Sequence, residues 1–559
     1  MQKLTNCFEK IILGFFMLWA ILVAFRPNNF PDYWWQVEEG LWLLGGKAID
    51  GPLYAFGLPA APYPHEYRFY ELLIGTLYHI GGHHLVWISF GILIFCFLAP
   101  LACLLYKRRQ DNPLWFVPLA FIFVIFYIRI NYRAEIAAIL ALVGLGYFLC
   151  RYSPPQPRKP IWFWLIIFAS LLIWSNSHSS YILGIFMLGC WALWQWFFHQ
   201  RNRDGFYGIL FPSGLICLIT PFLHPDGWLN LLRPLLNQSN KLSVDINGEL
   251  WPPSPGMICL SVIMLFCGLK RIFSSRDTFL RTGWLVFLLL ALFVLGMISM
   301  RHIALLASCL LLILLVIKHP GKPFLTVTPV TLFAICLAFA SWIGIFQILS
   351  IQKFIARQRD FAATSSALNW LADHKPQAFM MSDVANASFA QTLNGRLHPF
   401  QDTCSGHYAE DNLRYYYFLQ LHPEAVAYAL DHLEVDAWVI DEFTARWLWL
   451  LYQPNSKWKL IHANNSLLIF ERNSQNSGRP IALPEHWLSY LKEINDLPVH
   501  EANVLQAFDL AAWNRALKKS RGVRPQEMPV EPITPENMSW FQSTTERLNQ
   551  RIDQLRTRQ

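Results

Sequence analysis

Long apolar runs alternate with short polar loops over roughly the first 350 residues, and that alternation sets the expected architecture. A helix that crosses a bilayer needs about twenty mostly apolar residues. Runs of that kind occur at 11–26, 84–106, 113–130, 134–152, 161–176, 179–198, 206–223, 256–270, 279–299, 302–318 and 325–350. The pattern predicts a mainly α, polytopic membrane protein with about eleven transmembrane helices. Two stretches of the first polar loop have helical apolar spacing but are too short to cross. Residues 34–44 place Trp35, Leu41, Leu43 and Leu44 among Glu38 and Glu39, and residues 67–80 are apolar apart from Arg68, Glu71 and His79. Both are expected as helices lying at the membrane interface.

Beyond residue 354 the pattern changes. AFMMSDV (378–384), DAWVIDE (436–442) and SLLIFER (466–472) have strand character, with helical spacing at 407–419 and 422–433. These elements predict a small α/β domain over 354–473. Residues 474–480 read as a linker. The remaining tail is polar, with helical stretches broken by VRPQEMPVEPITPEN. The expected organisation is a membrane domain at 1–353, the α/β domain at 354–473, and a linker with a polar helical tail at 474–559.

Charge orients the spans. Basic clusters occur at Lys107 to Arg109, Arg151 to Lys159, Arg201 to Arg203, Lys270 to Arg281 and Lys318 to Lys322. With a cytoplasmic amino terminus, all of them fall in cytoplasmic loops, as the positive-inside rule requires. The α/β domain and tail are then extracytoplasmic, and the chain is a multi-pass protein of the inner membrane. Counting 67–80 as a span would invert this order. Met1 to Arg26 has the outline of a signal peptide, but no small-x-small cleavage pattern follows it, so a retained anchor is expected.

Composition agrees. Of 559 residues, 54% are hydrophobic and 15% charged, and mean hydropathy is +0.30. A soluble domain has about 25% charged residues. The net charge of +8 resides largely in the loops between apolar runs and gives no nucleic-acid signal. Nine of the eleven cysteines lie in apolar segments, with no CxxC and no metal-ligand spacing. A disulfide framework and a metal site are therefore not expected.

Ionisable groups beside spans are costly and mark functional positions. On the outer side these are Asp32, Glu38, Glu39, His65 and Glu66 in the first loop, joined by Trp34 and Trp35. Arg133 lies in IRINYRAEIAA, Asn176 and His178 in LLIWSNSHSSYILG, Glu249 and Trp251 in INGELWPPSP, and Arg301 and His302 in SMRHIALLA. Each has a plainer use. Asp32 can cap a helix, the tryptophans can form an interfacial belt, Asn176 and His178 can satisfy a turn, and the arginines can snorkel. His65-Glu66 is not a zinc motif, since HExxH is absent.

The succession PDYWWQVEEGLWLL, PHEY, NYRAE, WSNSHSSYILG, GELWPPSP and RHIALLA resembles the GT-C superfamily of membrane glycosyltransferases over roughly residues 1–350. The resemblance implies a catalytic acid in the first outer loop, two interfacial helices there, and a polyprenyl-phosphate sugar as donor. It also implies transfer of a hexose or pentose to a glycan, lipid or protein acceptor outside the cytoplasm. Asp32 is then the candidate base for the acceptor hydroxyl, with Glu66 as a second catalytic carboxylate. The substrate-binding candidates are Trp34, Trp35, Glu38, Glu39, His65, Arg133, Asn176, His178, Glu249, Trp251, Arg301 and His302. Arginines and histidines among them would hold the leaving phosphate. No resident cofactor is required, and a divalent cation at the phosphate stays open. No DxD or Asp-Glu pair adjoins Asp32, a departure that keeps a non-catalytic scaffold as the alternative. A transporter is the third possibility, but it would put polar groups near the midplane and repeat its halves.

Overall fold

The structure is a computed structural model. It describes residues 2–25, 31–49, 51–60, 63–65, 67–107, 119–120, 122–123, 134–152, 159–199, 203–229, 231, 253, 255–299, 302–317, 331, 334, 362–391, 393, 395–401, 407–441, 444–451, 456–472, 481, 483–485, 487–488 and 533–558. The protein is mainly helical with one small mixed sheet. It divides into two compact units. The first holds Met1–Asn28, His65–Ser239 and Glu249–Ile355, and the second is built from Asn29–Pro64 together with Ala356–Gln559.

In the first unit, helix α1 (Gln2–Ala24) packs along helix α3 (Arg68–Lys107), and Glu135–Arg151 packs along Ile303–Val316. Small residues let the backbones approach. A Cβ on Gly91 would lie 2.5 Å or less from the Phe25 ring, and one on Gly146 would lie 2.3 Å from Leu312. Every residue from Ile303 to Leu314 is buried, which accounts for a helix that is apolar on all sides.

Among the described residues, four helices are long and apolar enough to cross a membrane: Arg68–Lys107, Ser179–His199, Arg203–Phe222 and Pro255–Ile272. A fifth is formed if the bent pair Arg276–Thr282 and Leu285–Ile298 is one span. The expected eleven is not reached. Ile161–Ser175 and Ile303–Val316 are apolar but shorter, and the runs at 113–130 and 325–350 lie mostly outside the described residues.

The stretch 67–80 is helical, as expected, and ends at Gly81 and Gly82, where the backbone leaves helical geometry; α3 is two helices joined across this kink, with Gly82 at φ 62°, a conformation glycine adopts without steric cost. One expectation about the first loop changes. The stretch 34–44 is helical, as helix α2 (Pro31–Leu44), yet it belongs to the second unit. Trp34 and Trp35 are 5% and 2% exposed, and Trp34 meets Phe389 edge-on at 5.0 Å. Residues 33–40 are buried in protein, whereas Leu41 to Leu43 are half-buried and Leu44 is exposed.

The sheet of the second unit has the order β2-β1-β3-β5-β4. Strands β1 (Ala378–Met381), β2 (Leu397–Pro399) and β3 (Ala437–Ile440) run parallel, and β5 (Leu468–Arg472) runs antiparallel to both β3 and β4 (Trp458–Ala463). The three expected strand regions are present. β2 was not legible, because Leu-His-Pro has neither length nor alternation. Its proline is tolerated at an edge. That edge is covered by the first loop, where Phe56 N–H donates to the Pro399 carbonyl at 2.9 Å and Gly57 N–H to Phe400 at 2.8 Å. The polar tail also differs from expectation. Helix Pro535–Arg558 buries Phe541, Leu548 and Ile552 in the same core as Trp438, Trp447 and Trp458, and Phe541 stacks on Tyr415 at 4.3 Å.

Candidate functional site

The chain leaves β1 through helix Val384–Gln391 to β2 on one side, then returns from β2 through Glu410–Leu421 and Pro423–His432 to β3 on the other side of β1. Strand order therefore reverses at β1, and the carboxyl ends of such strands are where open α/β sheets hold ligands. Ser382, Asp383 and Asp441 occupy that edge. Asp383 accepts from the Tyr416 hydroxyl at 2.8 Å, and Asp441 from Asn386 Nδ2 at 2.9 Å and the Thr444 hydroxyl at 2.9 Å.

The segment after β2 returns at His407, and there it meets α2. Tyr63 Oη donates to Glu39 Oε1 at 2.7 Å, and His407 Nδ1 lies 3.7 Å from the same oxygen. The imidazole is enclosed by Trp35 at 4.8 Å and Tyr63 at 4.7 Å, measured between ring centroids. Glu39 and His407 are both buried. The adjacent Glu38 is 3% exposed, and burial pushes its carboxyl up to about 8. It is thus a neutral acid at neutral pH, able to donate a hydrogen bond. Burial first, and then the charge of Glu38, push the Tyr54 hydroxyl up to about 12. Asp32 differs from both glutamates. It sits in the first turn of α2 and is half-buried, where the helix dipole favours a negative charge and solvent can reach it.

In the first unit, three polar loops converge. His65 N–H donates to Asp226 Oδ2 at 2.9 Å, and Arg68 Nη2 donates to His65 Nδ1 at 2.6 Å. Phe69 N–H donates to the Asn176 carbonyl at 2.7 Å, and Tyr67 faces His178 with ring centroids 5.9 Å apart. Asn176 Nδ2 binds the Leu172 carbonyl at 3.0 Å, and His178 Nδ1 accepts from Ser180 N–H at 3.0 Å. Both therefore also serve the turn between helices Ile161–Ser175 and Ile182–His199. Arg68 starts a helix, where a cation opposes the dipole. Among the described residues it has a neutral imidazole as acceptor and no carboxylate at ion-pair distance. Its remaining donors suit an anion.

The sequence-predicted residues thus fall into two groups. Asp32, Trp34, Trp35, Glu38 and Glu39 belong to the second unit, and His65, Asn176, His178 and His302 to the first. His302 precedes helix Ile303–Val316 as its cap residue. Glu66, Arg133, Glu249, Trp251 and Arg301 lie outside the described residues. Sequence reasoning missed Arg68, Asp226, Tyr63 and His407. The PHPDG turn signature, read here as HPDG at 224–227, could have pointed to Asp226, whereas nothing local marks His407 as the partner of Glu39. Among the described residues, no group of three or more His, Cys, Asp or Glu side chains could hold a metal ion. No protein-family model and no curated protein matches the chain.

Proposed function

We propose that the protein is an integral membrane glycosyltransferase that moves a sugar from a polyprenyl-phosphate donor to an acceptor on the outer face of the membrane. The observation that carries this is the convergence of loops far apart in sequence around Arg68: His65 Nδ1 accepts from it, Asp226 holds the His65 backbone N–H, and the Asn176–His178 turn abuts the same segment. A leaving polyprenyl phosphate needs a cation with forked donors, and Arg68 supplies one that, among the described residues, has no carboxylate at ion-pair distance. Arg133 and Arg301 are further candidates for the same task by their sequence positions.

Asp32 takes the acceptor proton. The half-buried carboxylate is reachable, whereas Glu39 is sealed under Tyr63 and His407, and Glu38 holds its own proton at neutral pH. The scaffold reading draws on the same fact, since the acidic pair of the first loop is engaged in packing. One experiment separates the two. Full-length protein in nanodiscs is given a radiolabelled polyprenyl-phosphate hexose, and consumption of the donor is followed. Asp32→Asn should reduce turnover at least about 100-fold, as loss of a general base does, while insertion and thermal stability persist. Native-like turnover in Asp32→Asn would remove the base assignment, and an inert native protein would favour the scaffold.

A further inference from the structure

The end of α2 beyond the acidic pair carries groups that neither packing nor the transfer chemistry uses. Trp42 lies one helical turn after Glu38, so the two share a face. Its ring meets Tyr54 edge-on, with centroids 6.2 Å apart, and the Lys47 ammonium sits 4.2 Å over it. Trp42 and Tyr54 are both half-exposed, whereas Glu38 is 3% exposed. Among the described residues, neither the Glu38 carboxyl nor the Tyr54 hydroxyl has a hydrogen-bond partner, although the two groups are near enough to influence each other's ionisation. A buried carboxyl without a partner is costly, and its persistence calls for an occupant.

The Tyr54 ring is held in place from behind. Gly395 has φ +75°, and a Cβ there would come within 2.9 Å of the ring. The Tyr54 carbonyl accepts from His398 Nδ1 at 2.8 Å, tying the residue to β2. An aromatic wall, a partnerless carboxyl and a partnerless phenol are thereby fixed by the folded core.

We propose that Glu38, Trp42 and Tyr54 form a binding subsite for a neutral sugar residue. An apolar sugar face packs on Trp42 and Tyr54. Its hydroxyls bridge the Glu38 carboxyl, which donates or accepts, and the Tyr54 hydroxyl. The Lys47 ammonium over the Trp42 ring makes no ion pair with the Glu38 carboxyl among the described residues. A uronic acid is disfavoured, because its carboxylate would lose hydration in a place where burial already holds the Glu38 carboxyl neutral. Within the proposed transferase, the subsite is where an acceptor glycan rests. That role depends on the transferase reading, but sugar binding itself does not.

The test is saturation-transfer NMR on full-length protein in nanodiscs, with maltotriose, N,N′-diacetylchitobiose and mannobiose as neutral probes and a galacturonate disaccharide as the charged control. At least one neutral probe should receive saturation, and the galacturonate should receive little. Trp42→Ala and Glu38→Leu should each weaken that transfer at least about 10-fold, in line with the loss of a stacking platform or a buried hydrogen-bonding group. Gly395→Ala tests the site without removing a ligand group: by displacing Tyr54 it should weaken transfer several-fold. Absence of transfer from all three neutral probes overturns the subsite, as does transfer that Trp42→Ala and Glu38→Leu both leave unchanged. Sugar binding with no turnover of the polyprenyl-phosphate donor would keep the subsite and remove the transferase.

Discussion

Tyr63→Phe isolates one hydrogen bond inside the first loop, at the place where that loop meets His407. The substitution deletes one hydroxyl and keeps the ring that packs 4.7 Å from the His407 imidazole. It leaves Glu39 Oε1, buried beside His407, without its 2.7 Å donor. Stranding a buried acceptor costs about 1–3 kcal/mol. Taking about 2 kcal/mol, the opening equilibrium of α2 should rise roughly 30-fold, because 1.4 kcal/mol is about a factor of ten. Hydrogen exchange followed by mass spectrometry reads this directly, since local opening governs exchange of helical amides. Peptides from Pro31–Leu44 should exchange roughly 30-fold faster, while those from Ile303–Val316 in the other unit should not change. A change of less than about threefold in α2 would refute the reasoning, because it would mean that the buried oxygen is satisfied without Tyr63.

Two further outcomes follow from the same unit. The folded-state affinity of Glu38 for its proton lies above the ordinary value of 4.5, at about 8, so its stabilising contribution is complete below about 4.5 and is lost as pH rises through about 8. The opening free energy of α2, corrected for intrinsic exchange rates, should therefore fall by about 1.4 kcal/mol per pH unit across that window; Glu38→Gln should flatten the decline, and an unchanged slope in that variant would assign it to another group. Phe541→Ala removes a fully buried ring stacked on Tyr415 and should cost about 3–5 kcal/mol; exchange should rise across both Pro535–Arg558 and Glu410–Leu421, and protection retained in the first helix would show that it docks by other contacts.

Sequence pattern conveyed the long apolar helices well where a single apolar run had a loop on each side, as at Ile182–His199 and Pro255–Ile272. It conveyed β1, β3 and β5 because strands buried on both faces read as unbroken apolar runs. It missed β2 and β4 for opposite reasons. β2 is three residues long with a histidine and a proline, and β4 carries Lys459 and His462 among its apolar positions. The docking of helix Pro535–Arg558 was also hidden. Its three core residues, Phe541, Leu548 and Ile552, are spread through polar sequence, and a single helical stripe of that kind is faint in composition. At the candidate site, Asp32, Glu38 and Glu39 stood out as acids in an apolar loop. His407 and Asp226 did not, because their meaning depends on partners 368 and 161 residues away, Glu39 for the first and His65 for the second.

The misplacement of α2 has a physical basis that reaches beyond this helix. A lipid interface and a protein interior make the same demand on an amphipathic helix, namely an apolar face of tryptophan and leucine. Hydrophobic spacing cannot tell them apart. What separates them is the polar face. A helix at a bilayer surface turns its carboxylates to water, so Glu38 and Glu39 would be exposed and ordinary. Here both are buried, and each demands an internal answer: Tyr63 and His407 for Glu39, a retained proton for Glu38. Those answers come from a proximal tyrosine and from a segment more than 300 residues along the chain, so the first loop cannot complete its own fold. The loop that the resemblance makes catalytic is therefore stabilised by the α/β elements, and damage to their core should reach Asp32 through α2 without any contact to substrate. In that light, Phe541→Ala is also a probe of the active loop: loss of turnover accompanying faster exchange in α2 is the expected pattern, and full turnover with α2 opened would separate Asp32 from the chemistry.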